Sequence, residues 1–180
     1  MTDQPGRMME DRSVNKSAQL LVFNLDEQSY ALRLDAVERV VRAVAVTPLP
    51  DAPAIVLGII NVQGRIVPVI NMRRCFRLQE KEICTSDQFI ISATAIRTFA
   101  LAVDAVLGVV DCPNVEVVPV EEILPHMERV EGVMILADGM ILISDIDKIL
   151  SLGDVASLDG QLEDLGAEVG EEWQGHGNEL

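Results

Sequence analysis

Residues 56–76 read VLGIINVQGRIVPVINMRRCF and carry the strongest local signal in this 180-residue chain. Two runs of mainly β-branched residues, 59–62 and 66–70, flank the dipeptide Gln63-Gly64. Valine and isoleucine favour extended backbone, and glycine adopts the positive φ that a tight turn requires. The pattern predicts a β-hairpin with its turn at this dipeptide.

Two residues refine the prediction of this hairpin. Pro68 has no N–H to donate, so its strand lies at a sheet edge or turns that position away from its partner. Asn71 follows the second run and offers a side-chain oxygen as an N-cap, which predicts a short helical turn over residues 72–76.

The residues before the hairpin predict further strands and turns. Apolar and polar residues alternate over 30–35, which is typical of a half-buried strand. Asp35 and Glu38 have the spacing of a capping box and predict one helical turn. This part is completed by strands at 20–25 and 40–46 and by a proline-rich loop at 47–53.

The same pattern occurs twice in the chain. Residues 30–41, YALRLDAVERVV, align with residues 99–110, FALAVDAVLGVV, and seven of the twelve positions are identical. Asp35 and Asp104 are equivalent in this alignment, which favours turn caps over an acid–base pair. The second copy also predicts a hairpin across Asp138-Gly139, between 132–136 and 140–143, and a helix at 146–150 with Asp145 as its N-cap.

The repeat predicts an all-β fold of two small barrels. Each copy supplies about five short strands, too few to bury both sheet faces unless the sheet closes. The consecutive copies place one barrel at about 19–83 and the other at about 87–150, and the polar, irregular residues 77–86 are predicted to be the linker around this boundary. Residues 1–18 are predicted to be a flexible polar leader, since they lack the apolar core of a signal peptide.

The last residues differ from the rest in composition. Residues 153–180 contain eight acidic residues and no lysine or arginine. Leu158, Leu162 and Leu165 form one weak amphipathic stripe, and disorder is expected beyond about Gly166. Trp173 is a candidate anchor for a partner, although a solubilising tail explains the same composition.

Composition also limits the classes of function. A net charge of −15 opposes binding to nucleic acid or to anionic membranes, because phosphates attract basic surfaces. No apolar run approaches the ~20 residues of a membrane-spanning helix. Three cysteines without metal-ligand spacing predict neither a zinc site nor a disulfide framework, which favours a cytoplasmic protein.

Candidate catalytic residues are scarce. Of the two histidines, His126 lies in a predicted loop and His176 lies in the tail. Ser92 and Ser144 have no base nearby in sequence, and no nucleophile, phosphate-binding or metal-binding motif is present. The chain is therefore expected to be neither an enzyme nor a cofactor-binding protein.

The two copies differ where side chains are expected at the surface. Glu38 and Arg39 in the first copy correspond to Leu107 and Gly108 in the second. One barrel alone therefore carries the polar cluster of Glu38, Arg39, Asn61, Gln63 and Arg65. Either a binding surface or ordinary surface divergence explains this difference.

The ordered set of these segments resembles the CheW family, the small adaptors of bacterial chemotaxis arrays. The set comprises FNL, YAL, DAVERV, TPLP, GIINVQGRIVPVINMR, ALAVDAVLGVV and MILISDIDKIL, and it extends over about residues 19–152. The resemblance implies two SH3-like five-stranded barrels that share a hydrophobic interface. It also implies a scaffold that couples the cytoplasmic tips of methyl-accepting chemoreceptors to the regulatory domain of a CheA-type histidine kinase, at arrays on the inner face of the membrane.

The resemblance also implies two interaction surfaces on the first barrel. The receptor-binding groove is expected to comprise Val37, Glu38, Arg39, Asn61, Val62, Gln63 and Gly64, with Val37 and Val62 as apolar anchors. The kinase-binding surface is expected at Val44, Ala45, Val46, Thr47, Pro48, Leu49 and Pro50.

Two positions depart from the family pattern. The family usually has an arginine where this chain has Gln63, and it often has an acidic residue where this chain has Arg39. Arg39 can donate to the Gln63 amide oxygen but cannot form an ion pair with it. This departure favours a chemosensory system with its own receptors. Two alternatives stay open: a related adaptor that controls gliding, pili or gene expression, and an unrelated small-barrel enzyme or ligand-binding protein.

Overall fold

Short strands make up most of the described part of the chain. A computed structural model describes residues 18–95, 97–112, 117–119, 129–137, 139–150 and 158. The strands are β1 (Ala18–Leu25), β2 (Gln28–Arg33), β3 (Val37–Arg42), β4 (Val56–Val62), β5 (Arg65–Asn71), β6 (Gln88–Ala93), β7 (Thr98–Val103), β8 (Ala105–Cys112), β9 (Val117–Pro119), β10 (Val130–Leu136) and β11 (Gly139–Ser144). The described helical elements are a 3₁₀ turn at Leu34–Ala36, α1 at Met72–Cys75 and α2 at Ile146–Leu150.

These strands form two sheets, which are named here by their strand number. The six-stranded barrel has the order β8-β1-β2-β11-β10-β9, and the five-stranded barrel has the order β3-β6-β7-β5-β4. The predicted all-β fold of two SH3-like barrels is confirmed. The short edge strand β9 is an additional strand that was not predicted.

The two copies of the repeat exchange their first hairpins. β1 and β2 come from the first copy, but β1 pairs antiparallel with β8, and β2 pairs parallel with β11, with Tyr30 opposite Leu142. β6 and β7 come from the second copy, but β6 pairs antiparallel with β3, and β7 pairs parallel with β5, with Leu101 opposite Ile70. Each barrel thus combines the first hairpin of one copy with later strands of the other.

This exchange corrects the division of the chain into consecutive barrels at 19–83 and 87–150. Both hairpins carry the same alternation of apolar residues, so each fits the sheet of the other copy. In the exchanged arrangement, side chains from both hairpins enter the core that the two barrels share. The repeat therefore predicts the kinds of strand correctly and their partners incorrectly.

Alternation along β1 divides its side chains between two cores. Leu21, Phe23 and Leu25 belong to the shared core between the barrels, whereas Leu20 and Val22 belong to the interior of the six-stranded barrel. A third cluster fills the interior of the five-stranded barrel. Because residues of both sheets build the shared core, the two barrels pack as one unit.

Of the three predicted helix caps, two are confirmed and one is wrong. Asn71 Oδ1 accepts a hydrogen bond from a backbone N–H of α1 at 3.1 Å, and Asp145 Oδ1 accepts one from α2 at 2.9 Å. The capping box at Asp35 and Glu38 is wrong. The turn there is a short 3₁₀ turn whose N-cap, Arg33, makes no side-chain capping bond.

Strand β3 ends at Arg42, four residues before the predicted end of the third strand at Val46. Ala43 N still donates to Asp87 O at 2.9 Å, which continues the register of β3 with β6 by one residue before the chain leaves it. Thr47 then forms an isolated β-bridge with β4. The segment after β3 therefore crosses from one edge of the five-stranded order to the other.

Pro68 lies in β5, which is an interior strand between β4 and β7. It is opposite Ile59, whose N–H and C=O both bond to Thr47 at 2.9 Å on the other side of β4. Pairing with β7 begins only at Val69. The proline thus occupies a position where no partner needs its N–H, which is the second of the two predicted possibilities.

Several predictions concern residues outside the described part of the chain. They are the polar leader up to residue 17, His126, His176, Trp173, and the disorder and leucine stripe of the tail, apart from Leu158. Leu158 is fully buried in the shared core. None of the helices in the described residues is long and apolar enough to cross a membrane.

Candidate functional site

The predicted receptor-binding residues lie on the five-stranded barrel, at the start of β3 and at the turn of the β4–β5 hairpin. Glu38 is the extra residue of a β-bulge, since Val37 is opposite Ser92 and Arg39 is opposite Ile91 on β6. A bulge leaves its extra residue outside the ladder and re-aims the side chain. This local irregularity directs Glu38 toward the hairpin.

Glu38 is held by residues of two other strands. Arg65 Nη2 donates to Glu38 Oε2 at 2.9 Å, and Thr98 Oγ1 donates to Oε1 at 3.2 Å. The hydrogen bond from Arg65 is the main reason that the pKa of Glu38 lies below its ordinary value. These contacts join the starts of β3, β5 and β7 on one surface, where Glu38 and Arg65 compensate each other's charge.

The predicted turn at Gln63-Gly64 is confirmed. Both residues have positive φ, 52° at Gln63 and 84° at Gly64, as a two-residue hairpin turn requires. Asn61 Oδ1 accepts a hydrogen bond from Gly64 N at 2.7 Å, so this side chain is engaged in the turn. Gln63 is exposed at the tip.

The two valines expected as apolar anchors do not lie at the surface. Val62 is only 8% exposed and belongs to the interior of the five-stranded barrel, because it shares a face of β4 with Ile60. Val37 is half-buried and packs against the shared core. Ile66, opposite Asn61, is 44% exposed and is the apolar side chain that this hairpin presents.

Arg39 is the charged residue that this surface leaves uncompensated. The described residues contain no hydrogen bond between Arg39 and Gln63, although their side chains are chemically able to form one. Arg39 is exposed and forms no ion pair within the described part, and its charge contributes to the lowered pKa of Glu38. The ion pair on this surface joins Glu38 to Arg65 instead.

The predicted kinase-binding segment, residues 44–50, is held against β4. Thr47 N and O bond to Ile59 O and N, each at 2.9 Å. The segment runs so close to β4 that a Cβ at Gly58 would lie 2.2 Å from Thr47 O. Gly58 also has a φ of +144°, so both the close approach and the backbone conformation require glycine.

The side chains of this segment differ in exposure. Val44 is 53% exposed. Val46 packs against the interior of the five-stranded barrel, and Leu49 packs against the shared core. The exposed members are Val44, Ala45, Thr47, Pro48 and Pro50.

An open groove of about 740 Å³ runs beside the segment. It is lined by residues 43–46, Leu57 and residues 80–85. Sequence reasoning assigned residues 77–86 to a linker and missed this second wall. Ile83 packs against the interior of the five-stranded barrel, and an isolated isoleucine in a polar linker is the signal that could have revealed it.

On the six-stranded barrel, the place that corresponds to the charged surface around Glu38 carries an apolar groove. Leu107 on β8, the counterpart of Glu38, lines a groove of about 500 Å³ together with Val109, Leu136 and Met140. These four side chains are between 46% and 59% exposed. The difference between the two copies therefore separates a charged surface on one barrel from an apolar surface on the other.

A network of ion pairs links the two barrels. Arg73 on α1 binds Asp26, in the β1–β2 turn, at 2.6 and 2.9 Å, and binds Asp104, between β7 and β8, at 2.6 Å. Lys81 lies 3.0 Å from Asp104 and 3.3 Å from Asp87. The network thus connects a turn of the six-stranded barrel to the helix that follows β5 of the five-stranded barrel.

Asp104 serves this network as a structural residue. Burial raises the pKa of Asp104, but hydrogen bonds from Asp26 N, Lys81 and Arg73 outweigh burial and hold the pKa below its ordinary value. Asp35, its counterpart in the repeat, is exposed and belongs to no described ion pair. The predicted role in a turn therefore holds for Asp104, which accepts from Asp26 N at 2.8 Å, and not for Asp35.

The described residues contain no arrangement suited to nucleophilic or metal chemistry. Ser92 and Ser144 are buried, with no hydrogen-bond partner for either hydroxyl. Burial raises the pKa of Cys75 to about 11, which opposes formation of a reactive thiolate. No group of three or more His, Cys, Asp or Glu side chains in this part of the chain is placed to hold a metal ion.

Known proteins are similar to this chain in sequence and in fold. The family model of the CheW-like domain matches residues 19–153. The chain is 29% identical over 136 residues to the chemotaxis protein CheW of Thermotoga maritima, with 75% of this chain and 89% of that protein covered. It is 26% identical over 137 residues to CheW of Rhizobium meliloti, with 75% and 88% covered.

A solved structure supports the same relationship. The scaffolding protein TtCheW from Thermoanaerobacter tengcongensis matches with a TM-score of 0.70 and 28% identity. The match covers 77% of this chain and 95% of that chain. The family match, the two-barrel fold and this structural neighbour agree: the chain belongs to the CheW-like domain family.

Proposed function

We propose that this protein is a non-enzymatic adaptor of bacterial chemotaxis, which couples chemoreceptors to a CheA-type histidine kinase. The main support for this function is the match to the CheW-like domain over residues 19–153, together with the fold that the chain shares with a scaffolding protein. An adaptor needs separate surfaces for two partners and no reactive group. The site of action under this proposal is the cytoplasm, at receptor arrays on the inner face of the membrane.

The proposed chemoreceptor contact is the surface around the β-bulge and the β4–β5 turn. Its exposed side chains are Glu38, Arg39, Asn61, Gln63 and Ile66, and its backbone is shaped by Val37, Val62 and Gly64. An exposed apolar residue within a polar rim is the usual composition of a protein interface. The Glu38–Arg65 ion pair orders both side chains before a partner arrives, which reduces the entropy lost on binding.

The proposed contact for the regulatory domain of the kinase is residues 44–50 with the groove beside them. Exposed Val44 and the wall at residues 80–85 support this assignment. The contact between Gly58 and Thr47 keeps the segment close to β4, so little conformational freedom is lost when a partner binds. This surface and the chemoreceptor surface do not share a residue, which an adaptor with two simultaneous partners requires.

The experiment measures binding of the purified protein to each partner separately. The two partners are a receptor-tip fragment and the kinase regulatory domain from the same organism. Wild type is expected to bind both. Arg39→Glu is expected to weaken receptor binding roughly tenfold, because it reverses a charge at the interface, and to leave kinase binding unchanged. Gln63→Arg should likewise alter receptor binding alone.

The complementary variant is Val44→Asp, which is expected to weaken kinase binding and to leave receptor binding unchanged. Thermal melting of each variant identifies any loss of fold. Failure of wild type to bind either partner would contradict the adaptor function. Equal loss of both partners in a folded Arg39→Glu protein would contradict the separation of the two surfaces.

A further inference from the structure

The open groove of the five-stranded barrel forms where two paired strands separate. The pairing of β3 with β6 ends where Ala43 N donates to Asp87 O at 2.9 Å. Beyond this contact the two stretches of chain diverge and line the groove from opposite sides. Residues 43–46, called here the first wall, continue from β3, and residues 80–85, called here the second wall, lead into β6. Asp87 therefore lies where the two walls meet.

The two walls are held by different means. The bridge between Thr47 and Ile59 holds the first wall beside β4 through backbone hydrogen bonds. The second wall has no such ladder, because residues 78–84 belong to no helix or strand. Ile83 packs against the interior of the five-stranded barrel, the cluster that Val46 of the first wall also contacts. The position of the second wall therefore depends on side-chain contacts.

The carboxylate of Asp87 makes two of these contacts. Its Oδ2 accepts a hydrogen bond from Cys84 N at 2.8 Å, and its Oδ1 lies 3.3 Å from Lys81 Nζ. Asp87 N also donates to Cys84 O at 3.0 Å, so the turn between these two residues is closed from both sides. Asp87 is only 5% exposed, and a carboxylate buried to this degree requires partners of this kind.

Lys81 connects the second wall to the ion-pair network between the barrels. Its Nζ lies 3.0 Å from Asp104 Oδ1, and Arg73 of the same network donates to Gln79 O at 2.9 Å. The Lys81 side chain is 39% exposed, so its ion pairs are partly screened by solvent. The buried carboxylate of Asp87 is thus the firmer of the two anchors.

We propose that Asp87 is the positioning residue of this groove: its carbonyl holds the first wall and its carboxylate holds the second. The holding follows from these contacts alone, whereas its consequence for the kinase regulatory domain rests on the proposed function. Walls that are fixed before a partner arrives lose less conformational entropy on binding. Because Asp87 is buried, it acts through the second wall and not by direct contact with the partner.

Amide hydrogen exchange of the full chain, followed by NMR, tests how the second wall is held. Asp87→Ala removes the carboxylate and keeps the carbonyl to which Ala43 N donates. The Cys84 amide is then expected to exchange at least about tenfold faster than in wild type, and the Ala43 amide at nearly the wild-type rate. Asp87→Asn keeps an oxygen that accepts from Cys84 N but loses the charge opposite Lys81, so it should have a smaller effect.

Asp145→Ala is the matched control. Asp145 also accepts a hydrogen bond from a backbone N–H close in sequence, but it caps α2 and does not line the groove. This variant is expected to leave the exchange rate at Cys84 unchanged. Equal exchange at Cys84 in wild type and in Asp87→Ala would overturn the positioning. An equal increase in Asp145→Ala would also overturn it, because the effect would then be a general loss of stability.

Binding to each partner tests the consequence for function. Asp87→Ala is expected to weaken binding of the kinase regulatory domain roughly tenfold, Asp87→Asn less, and Asp145→Ala not at all. Receptor-tip binding should be unchanged, because Glu38 lies at the opposite end of the pairing between β3 and β6. Unchanged kinase affinity in Asp87→Ala, or an equal loss of both partners, would overturn the consequence for binding. Absence of kinase binding in wild type would instead contradict the proposed function, and the exchange at Cys84 would still decide whether Asp87 holds the walls.

Discussion

Arg73 Nη2 and Asp104 Oδ2 lie 2.6 Å apart and join helix α1 to the junction of β7 and β8. The Arg73 side chain is 8% exposed and that of Asp104 is 20% exposed. The same guanidinium also binds both carboxylate oxygens of Asp26, in the first turn of the six-stranded barrel. A single cation thus holds two carboxylates that belong to parts of the chain exchanged between the barrels.

The first prediction concerns the loss of this cation. Arg73→Met removes the charge while keeping an apolar stem, and it leaves Asp104 partly buried beside Asp26. Breaking a buried ion pair by removing one partner usually costs 3–5 kcal/mol, and the partial exposure of Asp104 reduces our expectation to about 2–4 kcal/mol. The measurement is the free energy of unfolding from urea denaturation.

Arg74→Met is the control on the same helix, and because its partner Glu80 is exposed we expect a cost of about 1 kcal/mol or less. Equal costs would contradict the role assigned to Arg73.

The second prediction concerns the dependence of this network on pH. The pKa of Asp26 is lowered mainly by its hydrogen bond to Arg73, and the pKa of Asp104 is lowered by its hydrogen bonds despite burial. A carboxyl whose pKa is lower in the folded state stabilises the fold above its unfolded pKa, and this contribution is lost as pH falls through the folded pKa. Asp104→Asn should therefore cost a constant free energy of unfolding between pH 6 and 8. The difference from wild type should shrink below the ordinary aspartate pKa of 3.8. A difference that grew on acidification would have the wrong sign.

Local chemistry is the part of the fold that the sequence predicts well. The turn at Gln63-Gly64 and the cap at Asn71 depend on residues within a few positions, and both are confirmed. The exchange of hairpins could not be predicted, because the two copies carry the same apolar alternation and a local pattern fits either sheet. Arg73 and Asp26 are 47 residues apart, so their contact depends on that exchange and has no local signal.

The candidate site shows the same limit. The sequence identified the polar cluster that includes Glu38 and Arg65, because the second copy lacks it, and the structure joins these two residues. Val62 was expected as a surface anchor although the regular alternation from Ile60 to Val62 places both side chains on the inward face of β4. Sequence reasoning also treated residues 80–85 as a linker, because the groove they line forms only when the chain folds back on β4.

The third prediction concerns the close approach of Thr47 to β4. Gly58→Ala would place Cβ 2.2 Å from Thr47 O at a φ of +144°, so both a clash and backbone strain are expected. Gly108→Ala is the matched control, since Gly108 has a φ of +139° but no atom within 4 Å of an added Cβ. Strain alone should cost about 1–3 kcal/mol in both variants, and Gly58→Ala should cost at least about 1 kcal/mol more.

The binding consequence of Gly58→Ala follows from the same contact. Displacement of Thr47 moves residues 44–50, so the variant should bind the kinase regulatory domain several-fold more weakly, while Gly108→Ala should not. Urea denaturation and titration with the regulatory domain supply the two measurements. Equal stability and equal kinase affinity in the two alanine variants would show that the bridge between Thr47 and Ile59 does not position this segment.

The fourth prediction separates the buried from the exposed apolar residue of the β4–β5 hairpin. Val62 is 8% exposed within the interior of the five-stranded barrel, so Val62→Ala should lower the free energy of unfolding by about 2 kcal/mol. Ile66 is 44% exposed, so Ile66→Ala should lower the free energy of unfolding by less than about 1 kcal/mol.

If Ile66 is the apolar contact of the proposed chemoreceptor surface, its loss should weaken receptor binding by roughly tenfold or more. Val62→Ala, measured at a temperature where it is fully folded, should bind the receptor tip nearly as well as wild type. The opposite ranking of the two affinities would return the role of anchor to Val62 and would require the hairpin to open when the receptor binds.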